Sequence, residues 1–360
     1  DDLSQAIILW RSILQWFGGV CAATFAVVVL ASLNLFGTGI HKSLLFTLEK
    51  GQLFLRILSI GRIVGVIYIL VTFFSMILMI FSGSNMFDAL CLSLSGVSTG
   101  GLMPKSEPLS NYINHVGVFI LSITCLIGSM NVAVLHDCFR LKSMRGFHSL
   151  FKNIEHKVLM VFILVLFLIG LIYGSFGSFF AILIESIFFI STTGFNYAID
   201  GLETVPPVIL ISLCLIGGSA LSTAGGLKII RILLLFRHLS TDMKRLSHPS
   251  RMLPVLFRGQ HIPDRAFLSI WMYFFGYTLF LGISICLLGA SGLMFENSVI
   301  LGAASISNFG PLLQYINPES GFSVIELSDQ QKIISSFFMI SGRVEILAVL
   351  ILFTSSFWRQ

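Results

Sequence analysis

Apolar runs of about 20 residues recur along the whole of this chain, and they leave one class of fold open. In hydrocarbon a spanning segment must satisfy every backbone polar group within itself, so runs of this length are helices. Barrel strands would show segments of about ten residues with alternating polarity instead. Composition agrees, since 56% of the residues are hydrophobic and 11% charged, where a soluble domain carries roughly a quarter charged. The expected fold class is an all-α polytopic membrane protein. Seven full spans are expected, near 6–36, 56–82, 112–136, 157–176, 205–239, 266–290 and 331–357, the fifth interrupted. Three shorter apolar segments, near 86–96, 179–190 and 296–307, suit re-entrant helices better than crossing ones.

Charge orients the spans. The connections 37–56, 138–157 and 228–265 hold 16 of the 22 basic residues. The alternate connections contain Lys105, with Lys332 at the edge of the last span, and carry Asp88, Glu107, Glu185, Asp200, Glu203, Glu296, Glu319, Glu326 and Asp329. Positive loops stay in the cytoplasm, so the acidic side faces out and the C-terminal Trp358-Arg359 lies inside. Seven crossings then put Asp1 outside. Trp10, Arg11 and Trp16 read as outer-interface anchors.

Each short segment ends in a small polar turn: Val97-Ser98-Thr99-Gly100-Gly101, Ser191-Thr192-Thr193-Gly194-Phe195 and Ser307-Asn308-Phe309-Gly310-Pro311. The unit of span, short helix, turn and span keeps one orientation, a parallel repeat. Residues 37–137, 138–239 and 240–360 form the second, third and fourth units. Residues 1–36 read as the closing span of a first unit whose opening span and filter are absent from this chain. A helix that stops part-way points its partly negative C-terminus at the membrane interior. The turn beyond it exposes carbonyls, the groups that replace a cation's hydration shell in a filter. Glycine at Gly100, Gly194 and Gly310 is expected to let the chain bend back through positive φ. The acidic outer loops would concentrate cations at the mouth.

The fifth span is broken near the midplane. Between Ile216 and Leu227 lie Gly217, Gly218, Ser219, Ala220, Leu221, Ser222, Thr223, Ala224, Gly225 and Gly226. No Gly-Lys-Ser/Thr ending follows, so this is not a phosphate loop. A packing kink needs one or two small residues, whereas a movable loop obstructing the pore accounts for ten. Lys228 and Arg231 follow it and read equally well as snorkelling anchors or as gate residues. Arg343 falls about 18 Å into the last span, where an unpaired charge costs at least ~2.5–3.5 kcal/mol. Glu345, two positions on, faces the other way, so Arg343 is expected to hold the Ser219–Thr223 loop through its carbonyls or hydroxyls. Asn131, His136 and Asp137 read as an interfacial helix end, and the six scattered cysteines as packing thiols.

These pieces resemble the membrane subunit of the Trk/Ktr/HKT family of potassium transporters, close to the bacterial Trk type. The likeness is carried by Leu9–Gly19, Val97–Gly101, Ser191–Phe195, Gly217–Lys228, Asn308–Pro311, Gly342–Ile346 and Phe357–Arg359, in family order. It implies four membrane–pore–membrane units around a pseudo-fourfold pathway in the cytoplasmic (inner) membrane, with potassium as the transported ion and no covalent cofactor. Filter residues would be Val97, Ser98, Thr99, Gly100, Thr192, Thr193, Gly194, Phe195, Ser307, Asn308, Phe309 and Gly310. Gate residues would be Gly217, Gly218, Ser219, Ser222, Thr223, Gly225, Gly226, Lys228 and Arg343. The partners implied are membrane lipid, a second copy in a homodimer and a cytosolic nucleotide-binding ring, with no nucleic acid. The Gly217–Gly226 stretch holds fewer glycines than the family pattern. Sodium or mixed-cation conduction within the same family is an alternative. An alternating-access symporter predicts inverted repeats and intramembrane acids at the site, and the three turns carry none. The sequence argues against an intramembrane enzyme: Ser191, Ser307 and Cys91 have no histidine or paired carboxylate in register.

Overall fold

The computed structural model describes residues 3–32, 53–141, 153–174, 179–198, 202–248, 255–257, 260–261, 264–316 and 326–344. Asp1, Asp200, Glu319, Glu345 and Trp358-Arg359, used above for orientation or pairing, lie outside the described residues.

Two long apolar helices open the chain, α1 (Gln5–Ser32) and α2 (Leu53–Phe81). A short helix α3 (Met86–Val97) follows, and the chain returns through α4 (His115–Ser129) and α5 (Val132–Leu141). The plan repeats with α6 (Ile154–Tyr173), the short α7 (Phe179–Ile190), and a return split into α8 (Pro207–Leu215) and α9 (Ile229–Ser247). It repeats again with α10 (Asp264–Ala290), the short α11 (Phe295–Ser307), a one-turn α12 (Leu312–Ile316) and α13 (Asp329–Arg343). A hairpin of two two-residue strands, Leu256–Phe257 and Gln260–His261, interrupts the basic connection before α10. Pro249, Pro254 and Pro263 break any helix in this connection, and nothing in the sequence signals pairing.

Among the described residues, four helices are long and apolar enough to cross a membrane, or five if α4 and α5 count as one bent span. Two of the seven expected spans account for the difference. The fifth is divided between α8 and α9, and residues 345–357 of the last expected span lie outside the described residues. The third span, expected unbroken over 112–136, turns by 106° between α4 and α5. Asn131, expected at an interface, is 0% exposed at that bend.

Burial follows the solvent each helix meets. The membrane-length helices leave one apolar face open, with Val161, Leu164 and Leu168 on α6 and Leu268, Phe275 and Leu279 on α10. The short α7 is enclosed, every residue from Ile184 to Ile190 being buried, as a helix that enters and stops within protein must be. Aromatic side chains pack around the turns. Phe188 meets Phe195 edge-on at 5.4 Å, and Phe189 meets Phe309 at 4.8 Å. Trp16 is not a free interfacial anchor, because its indole N–H donates to Thr72 Oγ1 on α2 at 3.0 Å. Trp10, 61% exposed, is free to meet a headgroup layer.

Candidate functional site: three turns and the loop beneath them

The three short helices end in one geometry. Thr99 (φ 50°), Thr192 (φ 54°) and Asn308 (φ 54°) occupy the left-handed region. The amide of each bonds three residues back, to Gly96, Phe189 and Ser305, at 3.1, 2.9 and 3.2 Å. The next amide bonds five back: Gly100 to Ser95, Thr193 to Phe188 and Phe309 to Ala304, at 2.9, 3.0 and 2.9 Å. This is the Schellman ending, which normally places glycine where these threonines stand. A β-branched residue there is a true outlier, costing about 1–3 kcal/mol unless its surroundings hold it. Here that strained residue aims its side chain at the loop below.

This register differs by one residue from the glycine alignment read in the sequence. It pairs Ser98, Ser191 and Ser307; then Thr99, Thr192 and Asn308; then Gly100, Thr193 and Phe309; then Gly101, Gly194 and Gly310. Positive φ, expected at Gly100, Gly194 and Gly310, occurs at Gly101 (73°) and Gly194 (70°), while Gly100 and Gly310 stay out of that region. A Cβ on Gly100 would lie 1.7 Å from the Gln15 side-chain amide on α1, the far end of a flexible side chain. A Cβ on Gly101 would lie 2.1 Å from the Thr193 carbonyl oxygen, and one on Gly194 2.5 Å from Pro311 Cγ. The turns therefore touch in sequence, second repeat to third and third to fourth. Phe195 and Phe309 are both 0% exposed, packed into the core, so at these positions only the backbone is left to face a pathway.

Directly against the turns sits the loop between α8 and α9. Its neck is closed by Gly217 N–H to Leu227 O (2.9 Å) and Leu227 N–H to Leu215 O (2.8 Å). Residues 217–225 are all buried. Thr99 Oγ1 donates to Thr223 Oγ1 at 3.1 Å, and Gly225 N–H donates to Thr192 Oγ1 at 3.0 Å. A Cβ on Gly225 would stand 1.6 Å from the Ser307 carbonyl oxygen. Cys214 Sγ lies 2.8 Å from Ser307 Oγ. One loop thus meets all three turns.

Cations and a carboxylate hold the loop. Arg343 Nη1 donates to the Thr223 carbonyl, a partner within the stretch the sequence assigned to it. Lys228 Nζ donates to the carbonyls of Ser222, at 3.1 Å, and Ala224, so it turns into the loop rather than out to an interface. Arg231 is 5% exposed with its guanidinium carbon 3.6 Å from the Tyr273 ring centroid, a cation–π contact in place of a snorkel. Asn308 Nδ2 donates to Met339 O on α13 at 3.0 Å, tying the fourth-repeat turn to the helix that carries Arg343.

Four participants escaped the sequence reading. Gln15 packs on Gly100, the carbonyls of Gly128 and Ser129 receive loop donors, and Glu155 Oε2 accepts the Ala220 N–H at 2.8 Å. Glu155 lies in the first turn of α6, where an acid suits the helix dipole, and Asn153 caps that turn. Nothing local reveals its burial. Two acids expected at the outer mouth are engaged elsewhere: Asp88 pairs with Lys105 at 3.4 Å, and Glu185, 1% exposed, accepts the Ala198 N–H at 3.2 Å.

The family model described as TrkH, cation transport protein, matches residues 1–360. Among curated proteins, the Trk system potassium uptake protein TrkG of Escherichia coli (strain K12) is 30% identical, over all of this chain and 75% of its own length. TrkH of the same organism is 27% identical over the same shares. The crystal structure of the potassium transporter TrkH from Vibrio parahaemolyticus superposes with a TM-score of 0.85 at 27% identity, covering 99% of this chain and 74% of that one. The likeness thus takes in every turn and the loop, and the chain belongs to the TrkH family of cation transport proteins.

Proposed function

We propose that the chain forms most of a potassium uptake pathway across the cytoplasmic membrane. The carbonyls of Val97–Gly101, Ser191–Phe195 and Ser307–Gly310 serve as the selectivity filter, and the Gly217–Gly226 loop as the gate beneath it. The observation that carries this reading is the convergence of three identically capped turns on one buried loop. Uncharged carbonyls and hydroxyls replace a weakly hydrated cation's water shell without trapping the ion. The potassium assignment draws on the names of the relatives.

Regulation in this reading comes from a cytosolic nucleotide-binding partner, with the protein itself a homodimer. It is supported by α9, which continues past the loop with exposed Phe236, Leu239, Met243 and Leu246 and ends on Lys244 and Arg245. A partner engaging that helix would pull on the loop through Lys228. The test is ion flux into liposomes containing the purified full-length protein, parent against a variant lacking residues 219–223. Potassium flux exceeding sodium flux in the parent, and a raised flux in the variant, are expected. A shortened loop that leaves flux at the parental level would overturn the gate.

A further inference from the structure

The loop is gripped from three repeats, two of which lie outside the one that carries it. A helix end leaves its last carbonyls without partners. At the α4–α5 break those carbonyls are taken by the loop. Thr223 Oγ1 donates to Gly128 O at 3.1 Å, and Ser219 donates to Ser129 O through Oγ at 2.8 Å and N–H at 3.2 Å. From the start of α6, the Glu155 carboxylate, 0% exposed, accepts the Ala220 N–H. The break and α6 are themselves joined, because Asn131 N–H donates to His156 Nε2 at 3.3 Å and both residues are buried.

The two helices that flank the basic connection after Leu141 therefore both end on the loop, α5 through the break and α6 through Glu155. Arg343 reaches the loop from the fourth repeat. A buried carboxylate is costly to maintain unless it is hydrogen-bonded, and this one spends a bond on a backbone amide of the moving element. An amide of the loop that loses this acceptor inside protein has no water to replace it.

We propose that Glu155, together with the α4–α5 break, is a latch on the intramembrane loop, with α6 as the element that sets it. Glu155 is a positioning residue: it touches the loop and not the turns. The latch rests on the reading of the loop as the gate. It predicts a second control arm beside α9, so that a displacement of α6 releases Ala220 while the Arg343 bond is still made.

The test uses the full-length protein in liposomes. Glu155→Ala should raise basal potassium flux some ~10–150-fold, the size set by losing one charge-assisted hydrogen bond. Glu155→Asp, whose carboxylate is drawn back by one methylene, should give a smaller rise. The potassium-to-sodium flux ratio should stay at the parental value, which a general loosening of the fold would not preserve. The variant lacking residues 219–223 separates the two readings. If it leaks while both Glu155 variants, eluting as the parent does, keep parental flux or change the ion ratio, the latch is wrong and the gate stands. If it does not leak, the gate and the latch fall together. Should Glu155→Ala not fold, the aspartate variant decides: flux above the parent supports the latch, and parental flux refutes it.

Discussion

Substituting the turn glycines one at a time separates backbone geometry from mere glycine content. At Gly194 a serine must hold φ near 70°, which costs about 1–2 kcal/mol for a residue with a Cβ. Its Cβ would also stand 2.5 Å from Pro311 Cγ and 2.8 Å from Phe309 Cε2, an overpacking worth roughly 1–3 kcal/mol. Together these give about 2–5 kcal/mol, enough to move the turn rather than the core around it. At Gly101 the obstacle is the Thr193 carbonyl itself, 2.1 Å from the new Cβ. Gly310 has neither problem, with nothing within 4 Å and no positive φ, so a serine there should change stability by less than about 0.5 kcal/mol. Gly100 faces only the end of a flexible glutamine, which can swing aside. Gly101→Ser and Gly194→Ser should therefore lower both the melting temperature and the potassium-over-sodium ratio of liposome flux. Gly310→Ser and Gly100→Ser should stay close to the parent in both. The reasoning collapses if Gly100→Ser and Gly310→Ser abolish selectivity while Gly101→Ser preserves it.

Other outcomes follow from single contacts. Arg343→Ala removes a charged donor from the Thr223 carbonyl; a loss of about 1.5–3 kcal/mol should raise leak flux some ~10–150-fold, and parental leak in a well-expressed variant would return Arg343 to a structural role. Thr192→Val keeps the side-chain shape but strands the buried Gly225 N–H, so flux should rise, whereas Thr192→Ser, which retains the acceptor, should not. Trp16→Phe breaks the bond to Thr72 between α1 and α2; a drop of about 0.5–1.5 kcal/mol in stability is expected, with the ion ratio untouched, and a shift in that ratio would show that α1 acts on the filter through Gln15.

Much of this molecule is carried by one-dimensional properties. Length and polarity of the apolar runs decide which segments become full-length helices and which stop short, because the hydrocarbon thickness is fixed from outside. The small polar turns after Val97, Ile190 and Ser307, and the glycine-rich interruption after Ile216, are visible for the same reason: they are long departures from an otherwise apolar text. The position of Arg343 announces that it needs a partner, since a charge at that depth cannot be left unpaired.

Tertiary structure decided the rest. Whether Gly100 or Gly101 takes positive φ depends on where the Schellman bonds close, and two adjacent glycines look the same in sequence. The bend after Ser129 has no proline to announce it. It is sustained because the carbonyls it frees find Ser219 and Thr223, 90 and 95 residues away. Glu155 is locally an ordinary helix-end charge, and Lys228 and Arg231 read equally well as anchors or gate residues; Glu155 turns to Ala220 of the loop, Arg231 to Tyr273 on α10, and Lys228 back to the loop carbonyls just before it. A hydrogen-bond donor or acceptor can be counted along the chain, but its partner is chosen only when the helices pack.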